Sequence, residues 1–426
     1  MLTVLLLACG TPDDSERPDP PGPPDTAEDT GDKGISKWQF LVYMDGDNNL
    51  EDWVMHDLNE LELTGSGRGV QVLVQADRID GYSEKDGDWT GARRYRIEAD
   101  HDPNRIHSPV LEDLGEVDMG SPQTLADFLA WADTNYPAEH RALVMWDHGD
   151  GWTLQADAAD AEETAAAAAA DLDPTDDVAP PPGIAWDDTD GSFLSIAEGT
   201  FAEGLAASVE ANGRLDVVAF DACNMATWEV LHSLVPYAEA VSAAETSEGY
   251  EGLQYETALA FLEENPAATP TELAQELSRG AVEEGGEYTH SAWNTDEVAQ
   301  IDAAVDAIAV AALADPDLAA SMLSYRKETR GVDHVWKNWY LDAGDLGKVM
   351  TAAGDPVLAP LGTDLDSAIG AAVVQSYTID DYSWASGLTI WFDPTADYID
   401  EYTEGAGATW AQDTHWGELM RSFVKK

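Results

Sequence analysis

Four short, almost uninterrupted apolar runs most constrain what this chain can fold into: Gln39-Phe40-Leu41-Val42-Tyr43, Val70-Gln71-Val72-Leu73-Val74, Ala142-Leu143-Val144-Met145-Trp146 and Leu215-Asp216-Val217-Val218-Ala219-Phe220. A strand with one face in water alternates apolar and polar residues, whereas a run apolar at nearly every position fits a strand covered on both faces. Helical patterns separate the runs, over Leu50 to Leu63, Thr124 to Thr134 behind the start signal Ser121-Pro122, and Ile196 to Ala211. Strand alternating with helix predicts an α/β fold, a three-layer α/β/α sandwich around a mostly parallel sheet. Beyond about Asn265 the chain reads as mainly helical and Ala-rich until Gly387-Leu388-Thr389-Ile390-Trp391-Phe392, a late strand. The expected organisation is a catalytic-type α/β domain over 38–265 and an extension over 266–426 packed on it.

Charge narrows the partners. Against 83 Asp+Glu the chain has 21 Lys+Arg, a formal charge of −62, so it repels nucleic acid and anionic membrane. At 44% hydrophobic, with 15 Trp, it is nonetheless apolar enough for a large core. No apolar run after residues 1–9 approaches the ~18 residues needed to cross a bilayer. The two cysteines, Cys9 and Cys223, cannot make a disulfide scaffold and need separate explanations. Cys9 ends the apolar stretch Leu2 to Ala8, and Leu6-Leu7-Ala8-Cys9-Gly10 resembles a bacterial lipoprotein signal in which the cysteine is lipidated, although no Lys or Arg precedes it. Residues 10–37, rich in Pro and Asp, read as a disordered tether behind that anchor. The expected location is the cell envelope, lipid-anchored or secreted, with membrane contact only through the anchor. Residues 153–182 read as an acidic insertion around the alanines Ala165 to Ala170, and no Lys or Arg lies between Arg141 and Arg214.

Two of the strands end in chemically capable residues. Asp147-His148-Gly149-Asp150-Gly151 follows one and Asp221-Ala222-Cys223-Asn224-Met225 follows the other. In an open parallel sheet functional loops gather at the carboxyl ends of the strands, so His148 and Cys223 can be neighbours although far apart in the chain. A thiol and an imidazole there are a nucleophile and its base for acyl transfer. The Gly149 and Cys223 backbone N–H groups would face a developing oxyanion, and a helix starting after Cys223 would add its dipole. Each residue alone also fits a plainer reading, Cys223 as a buried structural thiol and His148 as a loop histidine bonded to backbone.

The stretch Leu41-Val42-Tyr43-Met44-Asp45-Gly46-Asp47-Asn48-Asn49-Leu50-Glu51, the Trp146-Asp147-His148-Gly149 loop and Phe220-Asp221-Ala222-Cys223-Asn224-Met225 together resemble the clostripain-like cysteine peptidases of the caspase-like clan. The likeness continues through Glu245 to Tyr250, Tyr340 to Leu346, Gly387 to Pro394 and Trp416 to Leu419. It implies a caspase-like fold, His148 and Cys223 as the catalytic dyad, Asp221 in the pocket for the P1 side chain, and protein or peptide substrates cut after Arg or Lys. A carboxylate two residues before the nucleophile fits that pocket, since it shares a side of the extended segment and can pair with a guanidinium; a cap on the following helix is the competing role. Two departures stand out. Family members are often cut after Arg or Lys between the dyad residues, which this chain cannot do to itself between Arg141 and Arg214, and Glu251 and Leu253 stand where a Gly-Trp pair is usual.

Metal signals are weaker. Asp45-Gly46-Asp47-Asn48-Asn49 starts like a calcium loop, but Leu50 and His56 occupy the positions of the turn Gly and bidentate Glu, so it is not an EF-hand. The family resemblance makes calcium a possible cofactor, and Asp187-Asp188-Thr189-Asp190 is either an oxygen-ligand cluster or a solvated acidic turn. The metal-site residues are otherwise unknown from the sequence, and zinc is excluded by His spacing and the single downstream Cys. A surface lipoprotein using the same fold only to bind, and a transpeptidase or amidase using the same thiol, are the rival functions.

Overall fold

A computed structural model describes residues 35–152, 183–332, 339–394 and 398–424. The lipoprotein signal, all but the last residues of the expected tether, and the insertion at 153–182 lie outside the described residues.

Each apolar run is a strand: β1 (Ser36–Gly46), β2 (Val70–Arg78), β5 (Ala138–Trp146) and β8 (Leu215–Asp221). With β3 (Ala92–Arg96), β4 (Val110–Gly115), β9 (Ala238–Ala243), β10 (Thr289–Asn294) and β12 (Val373–Thr378) they form one sheet in the order β12-β10-β9-β8-β5-β1-β2-β3-β4. Its centre, β2-β1-β5-β8-β9, is parallel throughout. Both edges are finished by antiparallel strands.

Two apolar layers explain why the central strands lack alternation. Leu41, Tyr43, Leu143, Met145, Val218 and Phe220 face one layer, which includes Leu125, Phe128 and Leu129 of helix α2 (Pro122–Asn135) and Phe201 and Leu205 of the helix Thr200–Asn212. Phe40, Val42, Met44, Val144, Trp146, Val217 and Ala219 face the other, with Val54, Met55, Leu58 and Leu61 of helix α1 (Glu51–Thr64) and Leu273 and Leu277 of the helix Pro270–Glu283. The last helix starts with Thr269 and Glu272 in a capping box and Pro at its first turn, a start its sequence states outright. The result is an α/β/α sandwich.

The structure adds to the sequence reading in three places. After residue 265 the chain is not only helical, because β10 and β12 extend the same sheet across that boundary, and Ile35–Lys426 forms one compact unit. Both strands are half polar, Thr-His-Ser-Ala-Trp-Asn and Val-Val-Gln-Ser-Tyr-Thr, and β12 follows the helix Leu358–Ala372 without a break signal, so neither stands out by pattern. The first strand begins at Ser36, two residues inside the expected tether. No helix among the described residues is long and apolar enough to cross a membrane.

Candidate active site

The parallel register sets Trp146 of β5 beside Asp221 of β8, and the Asp147 N–H donates to the Asp221 carbonyl (3.2 Å). The next residues of both strands therefore leave the sheet at one edge. A Cβ on Gly149 would stand 2.6 Å from the Cys223 carbonyl oxygen and 3.0 Å from the Ala222 Cβ, so the histidine loop lies against the cysteine loop and only glycine fits the contact. The bridge from Gly149 to Ile184 runs through a neighbour, Asp150 N–H donating to the Gly183 carbonyl (3.2 Å), and leaves the Gly149 amide out of that bond.

His148 is half-buried, with Nε2 2.8 Å from the Asn49 Oδ1. Burial pushes its pKa down to about 4. Sγ of Cys223 accepts from the Glu248 N–H (3.2 Å), and burial, followed by the Glu248 charge, pushes the thiol up to about 12. Both groups are therefore neutral near pH 7 in the free protein. The expected helix at Cys223 is displaced: it spans Trp228–Leu234 with Thr227 as its N-cap, so its dipole does not start at the thiol. Between them Asn224, at φ 60°, turns the chain while its N–H donates to the Thr246 carbonyl (2.9 Å).

Asp221 is buried, and it caps nothing in the following helix. Its Oδ1 accepts from the Leu253 N–H (3.0 Å), its Oδ2 accepts from the Tyr255 hydroxyl (2.6 Å), and a Cβ on Gly252 would come within 2.1 Å of Oδ1. Burial first, then the neighbouring Asp57, hold its pKa well above the usual carboxylate range. More carboxylates join it. Glu287 accepts from the Gly249 N–H (2.8 Å), and both Glu248 carboxylate oxygens are buried without a hydrogen-bond partner among the described residues, His290 Nε2 standing 3.3 Å from Oε1. The arrangement is a neutral thiol and imidazole beside a cluster of buried carboxyl groups whose own pKa values burial raises.

Sequence reasoning missed Asn49, Glu248 and Glu287. Asn49 sits inside an acidic loop with no spacing signal toward His148, Glu248 lies in the resembling stretch Glu245 to Tyr250, to which the sequence assigns no role, and Glu287 is one among 83 acidic residues. Asp147 is not free to act on the dyad, since Asn48 Nδ2 (2.8 Å) and the Trp186 N–H both donate to its carboxylate. The Asp187–Asp190 segment is a turn between β6 (Ile184–Asp187) and β7 (Ser192–Leu194), where Thr189 donates through its N–H (3.0 Å) and hydroxyl (2.9 Å) to Asp47. Asp47, Glu116 and Asp187 offer oxygens within 4.8 Å of one another, as do Asp118, Asp187 and Asp190, and these could hold a metal.

Solved structures that share this fold include two proteases. An inactive zymogen C11 protease from Parabacteroides distasonis superposes with a TM-score of 0.61 at 17% identity, covering 91% of this chain and 99% of that one. A secreted C11 cysteine protease from Bacteroides thetaiotaomicron, in complex with an irreversible peptide inhibitor, gives 0.62 at 16% identity, covering 88% and 99%. Clostripain of Hathewaya histolytica is 27% identical over 212 residues, 47% of this chain and 36% of that protein, so the chain spans about a third of that relative's length. The model of the clostripain family matches residues 42–345, most of the chain, including the loops that carry His148 and Cys223; the chain belongs to the clostripain family.

Proposed function

We propose that this chain is a cysteine endopeptidase that hydrolyses peptide bonds after Arg or Lys, with Cys223 as nucleophile and His148 as general base. The observation that carries the proposal is the meeting of the two strand ends, where Gly149 packs on the Cys223 carbonyl. If Nε2 donates its proton to Asn49, the Nδ1 lone pair is left to take the thiol proton. The thiolate then attacks the carbonyl carbon, the Gly149 and Cys223 N–H groups face the oxyanion, and the imidazolium returns its proton to the leaving amine. Water hydrolyses the thioester by the reverse proton transfers.

Asp221, Glu248 and Glu287 support a cationic P1 group. Glu248 touches the Cys223 Sγ through its N–H, and its buried carboxylate, with His290 Nε2 3.3 Å from Oε1, is a group that a guanidinium or ammonium would pair with. A cation there would also offset the Glu248 contribution to the raised thiol pKa, which is second to burial. Anchoring through Cys9 completes the proposal, and fatty-acid labelling that persists in a Cys9→Ala variant would remove that part.

The test is cleavage of paired fluorogenic peptides with P1 Arg, Lys, Asp or Ala by the full chain beside Cys223→Ala. Cleavage after Arg or Lys that vanishes in the variant is expected. Thiol-dependent cleavage after Asp or Ala would sink the pocket assignment, and cleavage surviving in Cys223→Ala would sink the nucleophile.

A further inference from the structure

A second histidine lies close behind the thiol loop and takes no part in the chemistry above. His290 is fully buried in β10, which pairs with β9, and β9 pairs with β8, the strand that ends at Asp221. Its Nδ1 faces two fully buried hydroxyls, Ser278 (3.0 Å) from the helix Pro270–Glu283 and Ser242 (3.4 Å) from β9. Those hydroxyls also bond each other at 2.8 Å, so the ring is seated from that side. Its other nitrogen, Nε2, stands 3.3 Å from Glu248 Oε1, and only 4% of the Glu248 side chain is exposed.

Each end of this contact is costly without the other. A buried carboxyl group and a buried imidazole both need hydrogen-bond partners, and neither the Glu248 oxygens nor His290 Nε2 bonds to any other described residue. Burial pushes the imidazole down to about 3 and the Glu248 carboxyl well above its usual range. Nε2–H donating to a carboxylate and Oε1–H donating to Nε2 both make one hydrogen bond, and either one fixes Oε1. Where Oε1 sits matters to the thiol. The Glu248 N–H donates to Cys223 Sγ (3.2 Å), and after burial the Glu248 charge contributes most to the raised thiol.

We propose that His290 is a positioning residue: through Nε2 it holds the Glu248 carboxyl group in place beside Cys223, and so sets both the reactivity of the thiol and the hold on a basic P1 side chain. The P1 half rests on the Arg/Lys reading above, and the thiol half does not. Ser278 and Ser242 serve the same end by fixing the ring from behind.

Two substitutions separate the ends of the ring. In His290→Asn the amide reaches Ser278 and Ser242 as Nδ1 does but falls short of Glu248, whereas in His290→Gln it extends to the Nε2 position. Iodoacetamide alkylation of Cys223 is followed from pH 7 to 10 in the full chain, in both variants, in Glu248→Gln and in the double variant His290→Asn/Glu248→Gln. Losing the hydrogen bond leaves Glu248 protonated or turned away, and each takes negative charge from beside the thiol. His290→Asn and Glu248→Gln should therefore both alkylate about threefold or more faster than the parent at pH 9. His290→Gln should stay within about twofold of the parent, and His290→Asn should add nothing once Glu248 is Gln, since the two act as one unit. Unchanged alkylation in His290→Asn overturns the proposal. So does equal acceleration in His290→Gln or on top of Glu248→Gln, because a packing defect acts without regard to Glu248. Should His290→Asn fail to fold, the double variant decides: recovery when Glu248 is Gln supports the pairing, and failure in both backgrounds marks the histidine as core packing and overturns it. Alkylation needs no peptide, so a parent that leaves Arg and Lys peptides uncut sinks the specificity and not the thiol half. Where the parent does cut them, KM should rise about threefold or more in His290→Asn with kcat little changed, and an unchanged KM overturns the P1 half.

Discussion

His148 and Cys223 are both neutral in the free protein, and this decides how they should titrate. With the thiol pushed up to about 12 and the imidazole down to about 4, there is no pH window in which the thiolate and imidazolium form coexist as the resting state. Alkylation of Cys223 by iodoacetamide should therefore rise continuously from pH 7 to 10; a plateau near neutrality would show a preformed ion pair instead. Asn49 belongs to the same scale. Asn49→Ala should lower kcat about tenfold or more with little change in KM, because it frees the ring and its tautomer. Asn49→Asp would place a carboxylate at Nε2, raise the imidazole pKa and move the acidic limb of the kcat/KM profile to higher pH, a shift that a purely structural role would not produce.

Elements are held to the sheet by a few buried polar joints, and the joint at the start of α1 is the plainest. Arg78 at the end of β2 places Nε (2.9 Å) and Nη2 (2.7 Å) on Glu51 Oε1, both side chains are fully buried, and Glu51 Oε2 accepts from the Tyr82 (3.1 Å) and Ser83 (2.7 Å) N–H groups. Removing one partner leaves an uncompensated buried charge, which costs about 3–5 kcal/mol. Arg78→Met should lower the urea midpoint accordingly, and Glu51→Gln in the same chain should recover part of the loss. An unchanged midpoint in Arg78→Met would mean that the pair is not buried in solution. The loop after β9 makes a second joint, since Gly252 and Tyr255 hold Asp221 in place. This is also where the usual Gly-Trp pair is replaced, and Leu253 there still supplies its backbone N–H to Asp221.

Across the whole molecule, burial raises several carboxyl groups far from any basic partner. Glu229 and Glu287 are each raised to about 7 and Glu60 to about 9, in every case first by burial. In the unfolded chain such groups titrate near 4.3, so between there and about 7 to 9 the folded state holds more protons. Their stabilising contribution is complete below the unfolded pKa and is lost as pH rises through the folded values. Self-repulsion at a charge of −62 acts in the same direction. In chelator-containing buffer the urea midpoint should thus be lower at pH 8 than at pH 5, and a rise would contradict the burial of these groups. The stretch from Arg141 to Arg214 contains no intervening Lys or Arg, so with the proposed Arg/Lys specificity the chain cannot cut itself there, and active protein should be unbroken between Thr153 and Pro182 by mass mapping unless another enzyme matures it.

The sequence by itself determined the layers and placed one thiol and one imidazole just past the ends of two strands. Runs such as Phe40-Leu41-Val42-Tyr43 are apolar at every step because both faces of the central strands are covered, a local pattern that needs no knowledge of the partners. The position of His148 and Cys223 beyond two strand ends was legible for the same reason, each following such a run. The tertiary structure alone decided the sheet edges, since half-polar β10 and β12 become strands only by pairing with neighbours already in place. It also decided which of 83 acidic residues are buried together. A carboxylate's burial, its orphaned oxygen and its distance from a thiol or another carboxylate depend on chain segments remote in sequence, and no pattern at Asn49, His290 or Glu248 encodes what folding brings beside them.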